Sequence, residues 1–484
     1  MSASASTSAS LIAPPRRTFY PALEHLSREE VRALQLKKLR FHVERLYRTN
    51  PFYREKWERA GVRPEQIRTL ADLKRLPLTT KADVVNDQEL VPPYGARLGV
   101  PADRVWEITL SSGTSGKGQE IHAYTLRDAH MRGALNAIGW AWAGVGRRDA
   151  TIFHIGATNS ASVGCMMRGE RAAARLPYLV GHAGFEERLQ LMLRLGLDAM
   201  YCMPSALNGL SLLCEQKGID PRRAWPNLKA IMTSAEPWPV GWVERMEACW
   251  GTRVYEEYGS TQTMGTYGMT NCEKGAVTGG QRGSLHFFEW SFLYEVVNPD
   301  TGEDVRPGEE GELLVTHLDK EASPLVRFST RDRMRWFPHT ECACGRTLDF
   351  VESGTIGRWD DMLKIKGMNV WPHEVDQLVL AHLELDEYQA RIFIGDKARD
   401  EVELRYALKP QAAVAPGFDR AAFEGTVVGE IKAAIGITVR AREVASEELP
   451  HFITPDKKSR RWTDERQAGL ARGFSATSTK AGRS

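Results

Sequence analysis

No uninterrupted apolar run among the 484 residues reaches the roughly 18 that a helix needs to cross a bilayer. The nearest approach, ALNAIGWAWAGVG, is short and lies between Arg132 and Arg147. An excess of one charge is also lacking. Lys and Arg number 64 against 62 Asp and Glu, a net +2, which leaves no electrostatic footprint for nucleic acid or a membrane surface. The opening MSASASTSAS has neither a basic n-region nor a long apolar core, so it does not read as a signal peptide. Seven cysteines in a long, signal-free chain argue for reduced thiols and a cytoplasmic location. There is no internal repeat. What is present is ordinary globular composition, 42% apolar and 26% charged, over a length that implies two or three domains.

The stretch LSREEVRALQLKKLRFHVERLYRTNPFY begins with Ser27 and Glu30 at capping-box spacing. Leu36, Leu39, Val43 and Leu46 repeat at helical intervals, and Asn50-Pro51 stops the helix. From about residue 100 to 260, DATIFHIG and LKAIMTSAEPW read as buried strands and FEERLQLMLRLG and VGWVERMEACW as helices. That alternation predicts a parallel sheet with helices on its faces. After residue 285 the texture becomes β-rich, with LYEVVNPDTGEDV and GELLVTHL as strands joined by Pro/Gly turns. A last unit follows GRWDDMLKIKG, with a helix around HEVDQLVLAHLEL and strands at ARIFIGD and EVELRYALKP. The expected fold is α/β: a large N-terminal part with parallel sheets and a β-rich subdomain, then a small mobile α+β C-terminal domain. The expected boundaries are a disordered tail over 1–20, domains over 21–359 and 360–465, and a second tail over 466–484.

SSGTSGKGQE raises the question of phosphate binding. It fails the nucleoside-triphosphatase pattern at both ends, since Ser111 stands where the first glycine belongs and Gly118 follows Lys117. Gly113 and Gly116 still allow backbone N–H groups to converge on an anion, and Ser111, Ser112, Thr114, Ser115 and Lys117 add donors. Taken alone, such a segment is more often a flexible linker. Four further segments follow it in order: SAEPW (234–238), YGSTQ (258–262), RFSTRD (327–332) and GRWDDMLKIKGMNVWPHEVD (357–376), with DKKSRRW (456–462) near the end. In this order and at these separations they resemble the adenylate-forming acyl- and aryl-CoA ligase superfamily. The N-terminal helix, LPLTTKADV, AEPW and MLKIKGMNVWP are similar to the phenylacetate–CoA ligase branch, over about residues 20 to 465.

The resemblance implies an enzyme that joins an aromatic carboxylic acid to ATP with magnesium, releases pyrophosphate, and passes the acyl group to coenzyme A. It implies that Ser111–Lys117 hold the β- and γ-phosphates, that Ser234, Ala235, Glu236 and Pro237 line the adenine through their backbone, and that Tyr258, Gly259 and Ser260 lie beside the base. Thr261 would donate to the α-phosphate, Asp332 would accept from the ribose hydroxyls, and Arg358 would be a fixed cation near the nucleotide. Taken alone, Asp332 reads as a turn cap. Asp360 would be the hinge. Lys458 would enter the site for the first half-reaction, with Lys457 as the adjacent alternative, and Gly367 would border the pantetheine tunnel in the second. The family's usual residue at position 262 is a glutamate that binds magnesium. Here Gln262 offers an amide oxygen without the charge.

Separately, Cys342-x-Cys344, Cys272 and His286 supply three thiolates and an imidazole, the donor set of a closed tetrahedral zinc site. His339 competes as a ligand, free buried cysteines are the alternative, and the branch resemblance favours metal. Cys165, Cys202, Cys214 and Cys249 fall on apolar segments and read as core. The segment that lines the acid in the branch reads FHIGATNSASVG. His154, Gly156, Thr158 and Asn159 make it more polar than a phenyl ring needs, so a hydroxy- or amino-substituted aromatic acid is expected. Ordinary hydrogen bonds to backbone or water would explain the same residues. Rival readings are an adenylating enzyme that loads a carrier protein or an amine, and a non-catalytic zinc- and nucleotide-binding protein supported by Gln262 alone. A homodimer is plausible for the branch.

Overall fold

One mixed sheet of twelve strands organises the larger part of the computed structural model. The structure describes residues 17–111, 119–146, 151–154, 160–174, 176–179, 183–264, 268–366, 368–395, 399–449 and 461–466. Leu176–Leu179, Thr151–His154, Ala199–Cys202, Ala230–Thr233 and Arg253–Tyr258 run parallel in that spatial order. Helices Ser160–Ala173, Phe185–Leu195, Pro204–Gln216 and Val240–Trp250 supply the crossovers that parallel pairing requires. Beyond Tyr258 the described connections carry no α-helix and the pairing becomes antiparallel. It continues through Met269–Asn271, Ser284–Phe287, Phe350–Glu352, Phe328–Phe337, Glu310–His317 and Phe292–Val297.

The apolar stretch that falls short of a membrane span lies mostly in helix Leu126–Trp142, whose Leu135, Ile138, Trp140 and Trp142 are buried in the main core, and runs four residues past its end. Arg132 is buried with them because it pairs with Glu107 at 2.6 Å and stacks 4.1 Å from the Tyr124 ring centre. No described helix is long and apolar enough to cross a membrane. The capping box forms as expected on helix Arg28–Thr49, which buries Val31, Leu39, Val43 and Leu46. Asn50 both ends that helix and caps the next, Pro51–Arg59, by accepting from the Tyr53 N–H.

The C-terminal unit has a separate core. Its four-stranded sheet runs Arg440–Glu443, Asp400–Leu408, Leu385–Ile394, Trp462–Asp464, and helices Pro372–Val379 and Arg420–Ile435 pack Val375, Val379, Val427 and Ile431 into it. The expected helix over 373–385 closes at Val379, because Leu385 already pairs with Leu408 in the sheet. Arg333 bridges the two parts, reaching Glu310 at 2.8 Å on one side and Glu374 at 2.9 Å on the other.

Candidate functional site

Ligands of α/β sheets bind at the carboxyl ends of the parallel strands, and the quoted motifs gather there. Ser234–Pro237 follows strand Ala230–Thr233, and Gly259–Thr261 follows strand Arg253–Tyr258. The hydroxyl of Tyr258 donates to Asp332 Oδ2, and Arg358 Nη1 donates to Asp332 Oδ1 at 3.1 Å. Asp332 stands opposite Arg358 in the strand register, so the fold itself fixes this pair. Burial first, and the Asp332 charge second, push the Tyr258 phenol well above its ordinary value, so it is a neutral donor.

Among the described residues, Ala235, Met264, Arg327, Arg331 and Lys366 are the non-glycine residues with left-handed backbone. Ala235 lies inside SAEPW, Arg327 and Arg331 lie inside RFSTRD, and the other two lie beside YGSTQ and Gly367. Strain of this kind persists where surrounding structure over-determines it. At Arg327 the cause is visible: its guanidinium pairs with Glu295 at 3.0 Å and donates to the Leu76 carbonyl at 2.8 Å. Thr79, from LPLTTKADV, donates its N–H to the Arg327 carbonyl at 2.9 Å and its hydroxyl to the Val326 carbonyl at 2.8 Å.

The glycine-rich segment separates two antiparallel strands, Glu107–Leu110 and Ile121–Tyr124. Residues 112–118 lie outside the described residues, but the base of the segment is described. Ser111 N–H donates to the Glu120 carbonyl at 3.0 Å, and Glu120 N–H donates to Ser111 Oγ at 2.8 Å. Gln262 Nε2 donates to both carboxylate oxygens of Glu120, each at 2.8 Å. His122 Nε2 lies 3.0 Å from Glu120 and Lys81 Nζ 3.7 Å from it. Burial brings His122 down to about 4, so it is neutral and donates through Nε2. Burial alone would raise the Glu120 carboxyl, but the bonds from His122 and Gln262 outweigh it and hold the group below its ordinary value.

Several expected residues have local duties. Ser260 caps the turn Thr261–Thr263, and the Thr261 carbonyl lies 3.5 Å from the Tyr124 hydroxyl. Both carboxylate oxygens of Glu236 accept from Ser205, its N–H and its hydroxyl, at the start of helix Pro204–Gln216. Asp360 falls in the helical turn Trp359–Asp361 and His154 ends strand Thr151–His154; the side chains of both are outside the description. Gly156, Thr158, Asn159, Gly367 and Lys458 also lie outside the described residues.

Sequence reading gave no role to Glu120 and Lys81, although they lie in the quoted SSGTSGKGQE and LPLTTKADV, and none to His122. It also missed a buried polar group formed where three strands end: the Tyr201 hydroxyl shares a hydrogen bond with Ser234 Oγ and lies beside Glu257.

Cys272, His286, Cys342 and Cys344 converge with all their ligand atoms within 4.8 Å of one another. The first three are buried. His286 Nδ1–H donates to the Leu348 carbonyl at 2.8 Å, which turns the Nε2 lone pair toward Cys344 Sγ, 3.4 Å away. This backbone anchor on the far nitrogen is characteristic of metal-ligating histidines. His339 faces elsewhere, 3.3 Å from Asp349, and is not in the cluster. Cys202 and Cys214 are buried among apolar side chains, as expected of core residues.

A family model described as AMP-binding enzyme matches residues 72–317. Phenylacetate-coenzyme A ligase of Thermus thermophilus is 32% identical over 390 residues, covering 80% of this chain and 83% of that protein. The Escherichia coli protein of the same name is 31% identical over 373 residues, 76% of this chain and 81% of its own. Among solved structures, a 2-hydroxyisobutyryl-CoA ligase in the postadenylation state superposes with a TM-score of 0.83 at 24% identity, covering 97% of both chains. The same enzyme in the thioesterification state superposes at 0.66 over 96% of this chain and 95% of that one. At this identity the likeness shows the fold.

Proposed function

This chain belongs to the AMP-binding enzymes, within their phenylacetate–CoA ligase branch, and we propose that Tyr258, Asp332 and Arg358 hold its nucleotide. It is an AMP-forming acid–CoA ligase that activates an aromatic or related acid as its adenylate and transfers the acyl group to coenzyme A. In the first half-reaction a carboxylate oxygen attacks the α-phosphorus of ATP, the bond to the bridging oxygen breaks, and pyrophosphate leaves. In the second, the CoA sulfur attacks the acyl carbon and AMP leaves with the oxygen that came from the acid.

Both steps bring anions together, so the protein must supply fixed cations and donors in a site from which water is excluded. Asp332 offers its two oxygens to the ribose while Tyr258 and Arg358 hold it in place. The observation that carries this reading is their convergence at the strand ends beside SAEPW and YGSTQ. Ser111–Lys117 would receive the β- and γ-phosphates, and Thr261 the α-phosphate. A magnesium ion, when bound with ATP, would neutralise phosphate charge, and Gln262 would offer it an oxygen. Lys458 would enter for adenylation, Asp360 would turn, and Gly367 would then border the CoA tunnel. The better superposition on a postadenylation state supports a C-terminal unit placed as in that state.

We place a hydroxy- or amino-substituted aromatic acid in the acid pocket, with His154, Gly156, Thr158 and Asn159 lining it. The Tyr201–Ser234–Glu257 group supports this, since a buried polar cluster at the strand ends favours a ligand that can hydrogen-bond. Cys272, His286, Cys342 and Cys344 would hold a structural zinc. The fit rests on the compact set of three sulfurs and one nitrogen and on the Leu348 anchor of His286. The zinc would tie the strand ends together and take no part in the chemistry.

The test is pyrophosphate release on mixing with ATP, magnesium and a panel of hydroxybenzoates, aminobenzoates and arylacetates. Acid-dependent release with AMP as the nucleotide product is expected. ADP as the product, or ATP untouched by the whole panel, would overturn the assignment.

A further inference from the structure

Gln262 is held from two sides. Its backbone carbonyl accepts from His317 Nε2 at 2.7 Å, and its side-chain nitrogen is bound to both oxygens of Glu120 at 2.8 Å. His317 has one usable arrangement, because its Nδ1 accepts from the Leu325 N–H at 3.0 Å and Nε2 must therefore carry the proton. An amide has its nitrogen and oxygen at opposite ends of one planar group, so a carboxylate that captures the nitrogen also decides where the oxygen points. The Gln262 oxygen has no hydrogen-bond partner among the described residues, although Gln262 is only half exposed.

Glu120 is in turn fixed. It is buried, it receives a hydrogen bond from His122, its charge is balanced by Lys81 at 3.7 Å, and its N–H is tied to Ser111. The carboxylate therefore sits at the base of the phosphate-loop segment and faces the turn that follows Tyr258.

We propose that Glu120 is a positioning residue for nucleotide-bound metal: it locks the Gln262 amide with its nitrogen inward and its oxygen free to meet the ion. The two side chains are one unit. The carboxylate lies one residue behind the position that faces the metal, and the amide presents a neutral oxygen in front of it. This rests on the nucleotide reading above. It goes beyond that reading by assigning a function to Glu120, the last residue of SSGTSGKGQE, to which the resemblance gives no role. It also explains how Gln262 serves at a position where the resemblance leads one to expect a glutamate. A freely rotating amide would present nitrogen to the cation as readily as oxygen, whereas a locked one presents only oxygen.

The unit can be tested without turnover. Manganese binding is followed by electron paramagnetic resonance in the presence of α,β-methylene ATP, which cannot release pyrophosphate, and AMP binding is followed by calorimetry in EDTA. Glu120→Leu removes the anchor and should raise the manganese concentration for half-saturation about tenfold. AMP affinity should stay within about twofold of wild type, a separation that general damage to the site would not produce. Gln262→Ala, in a half-exposed turn and so tolerant of truncation, should have the same effect. The double variant Glu120→Leu/Gln262→Ala should be no worse than either single one. The exchange Glu120→Gln/Gln262→Glu keeps one donor facing one acceptor with the roles reversed, and should bind manganese at least as well as wild type.

If folded Glu120→Leu binds manganese like wild type, or if the losses from the two single variants add, the proposal is wrong. An exchanged pair no better than Glu120→Leu would overturn it as well. If Glu120→Leu does not fold, Gln262→Ala and the exchanged pair decide in the same way. Failure of the wild-type protein to bind either nucleotide would instead sink the nucleotide reading itself.

Discussion

Replacing Cys342 and Cys344 together by serine should cost the fold a cross-link rather than two small side chains. The cluster joins three separate segments, with 14 residues from Cys272 to His286 and 56 from His286 to Cys342. A cross-link closing loops of about 15 to 60 residues is worth roughly 3–4 kcal/mol through restriction of the unfolded chain. At about 2–4 °C per kcal/mol for a domain of this class, the melting temperature should fall by about 10 °C. Part of the loss would be direct: in the variant two hydroxyls, one sulfur and an imidazole would share the small buried space that the four ligand atoms now occupy, with no ion between them. The assay is elemental analysis of untagged protein, with thermal unfolding run with and without a strong chelator. About one zinc per chain is expected, lost in the double variant, with chelation lowering the wild-type transition and leaving that of the variant unchanged. Protein without zinc, whose transition neither chelator nor substitution moves, would refute the metal site. Zinc retained in the double variant would show that these sulfurs are not the ligands.

The C-terminal hinge predicts a crossed pattern. Lys458→Ala should fail to form the adenylate yet convert a supplied aryl-adenylate to thioester. Asp360→Pro, with φ fixed near −65°, should form the adenylate and fail at the thioester. Loss of the same half-reaction in both would rule out the two-pose mechanism. Glu256 gives a pH prediction. Burial pushes its carboxyl up to about 8, against the opposing N–H of Gly354 at 2.6 Å. The folded state therefore keeps a proton that the unfolded state gives up above about 4.5. Stability present below that pH is lost as pH rises through about 8, by on the order of 5 kcal/mol. Glu256→Gln cannot ionise, so its melting temperature relative to wild type should rise between pH 5 and pH 9. A constant difference would show that Glu256 ionises normally in the fold.

Much of the architecture was legible because it is encoded locally. The Ser27–Glu30 box, the alternation of apolar runs with amphipathic helices, and the Pro/Gly turns after residue 285 each follow from patterns a few residues long. The helix after Trp371 was read too long, since the apolar spacing of AHLEL suits a helix and a strand start equally, and pairing of Leu385 with Leu408 decided for the strand. The order of the motifs also pointed to Tyr258, Asp332 and Arg358 together. Their direct bonding was not visible, because it depends on a strand register between residues 26 positions apart and a hydrogen bond between residues 74 positions apart. Glu120 was invisible for the same reason. Its partner Gln262 is 142 residues away, and a lone glutamate after a glycine-rich segment has no local signature. The four metal-cluster residues were legible in part: the C-x-C spacing and the branch resemblance grouped them, while the choice of His286 over His339 depended on strand placement.

In adenylation the acid bonds its own oxygen to the nucleotide, and isotope transfer follows that oxygen. A carboxylic acid accepted in the pyrophosphate assay is supplied with both carboxyl oxygens as oxygen-18, together with ATP, magnesium and coenzyme A, and the AMP is analysed by mass spectrometry. Each AMP should carry one heavy oxygen, the thioester retaining the other. AMP without the label, or ADP as the product, would rule out attack by the acid on the α-phosphorus.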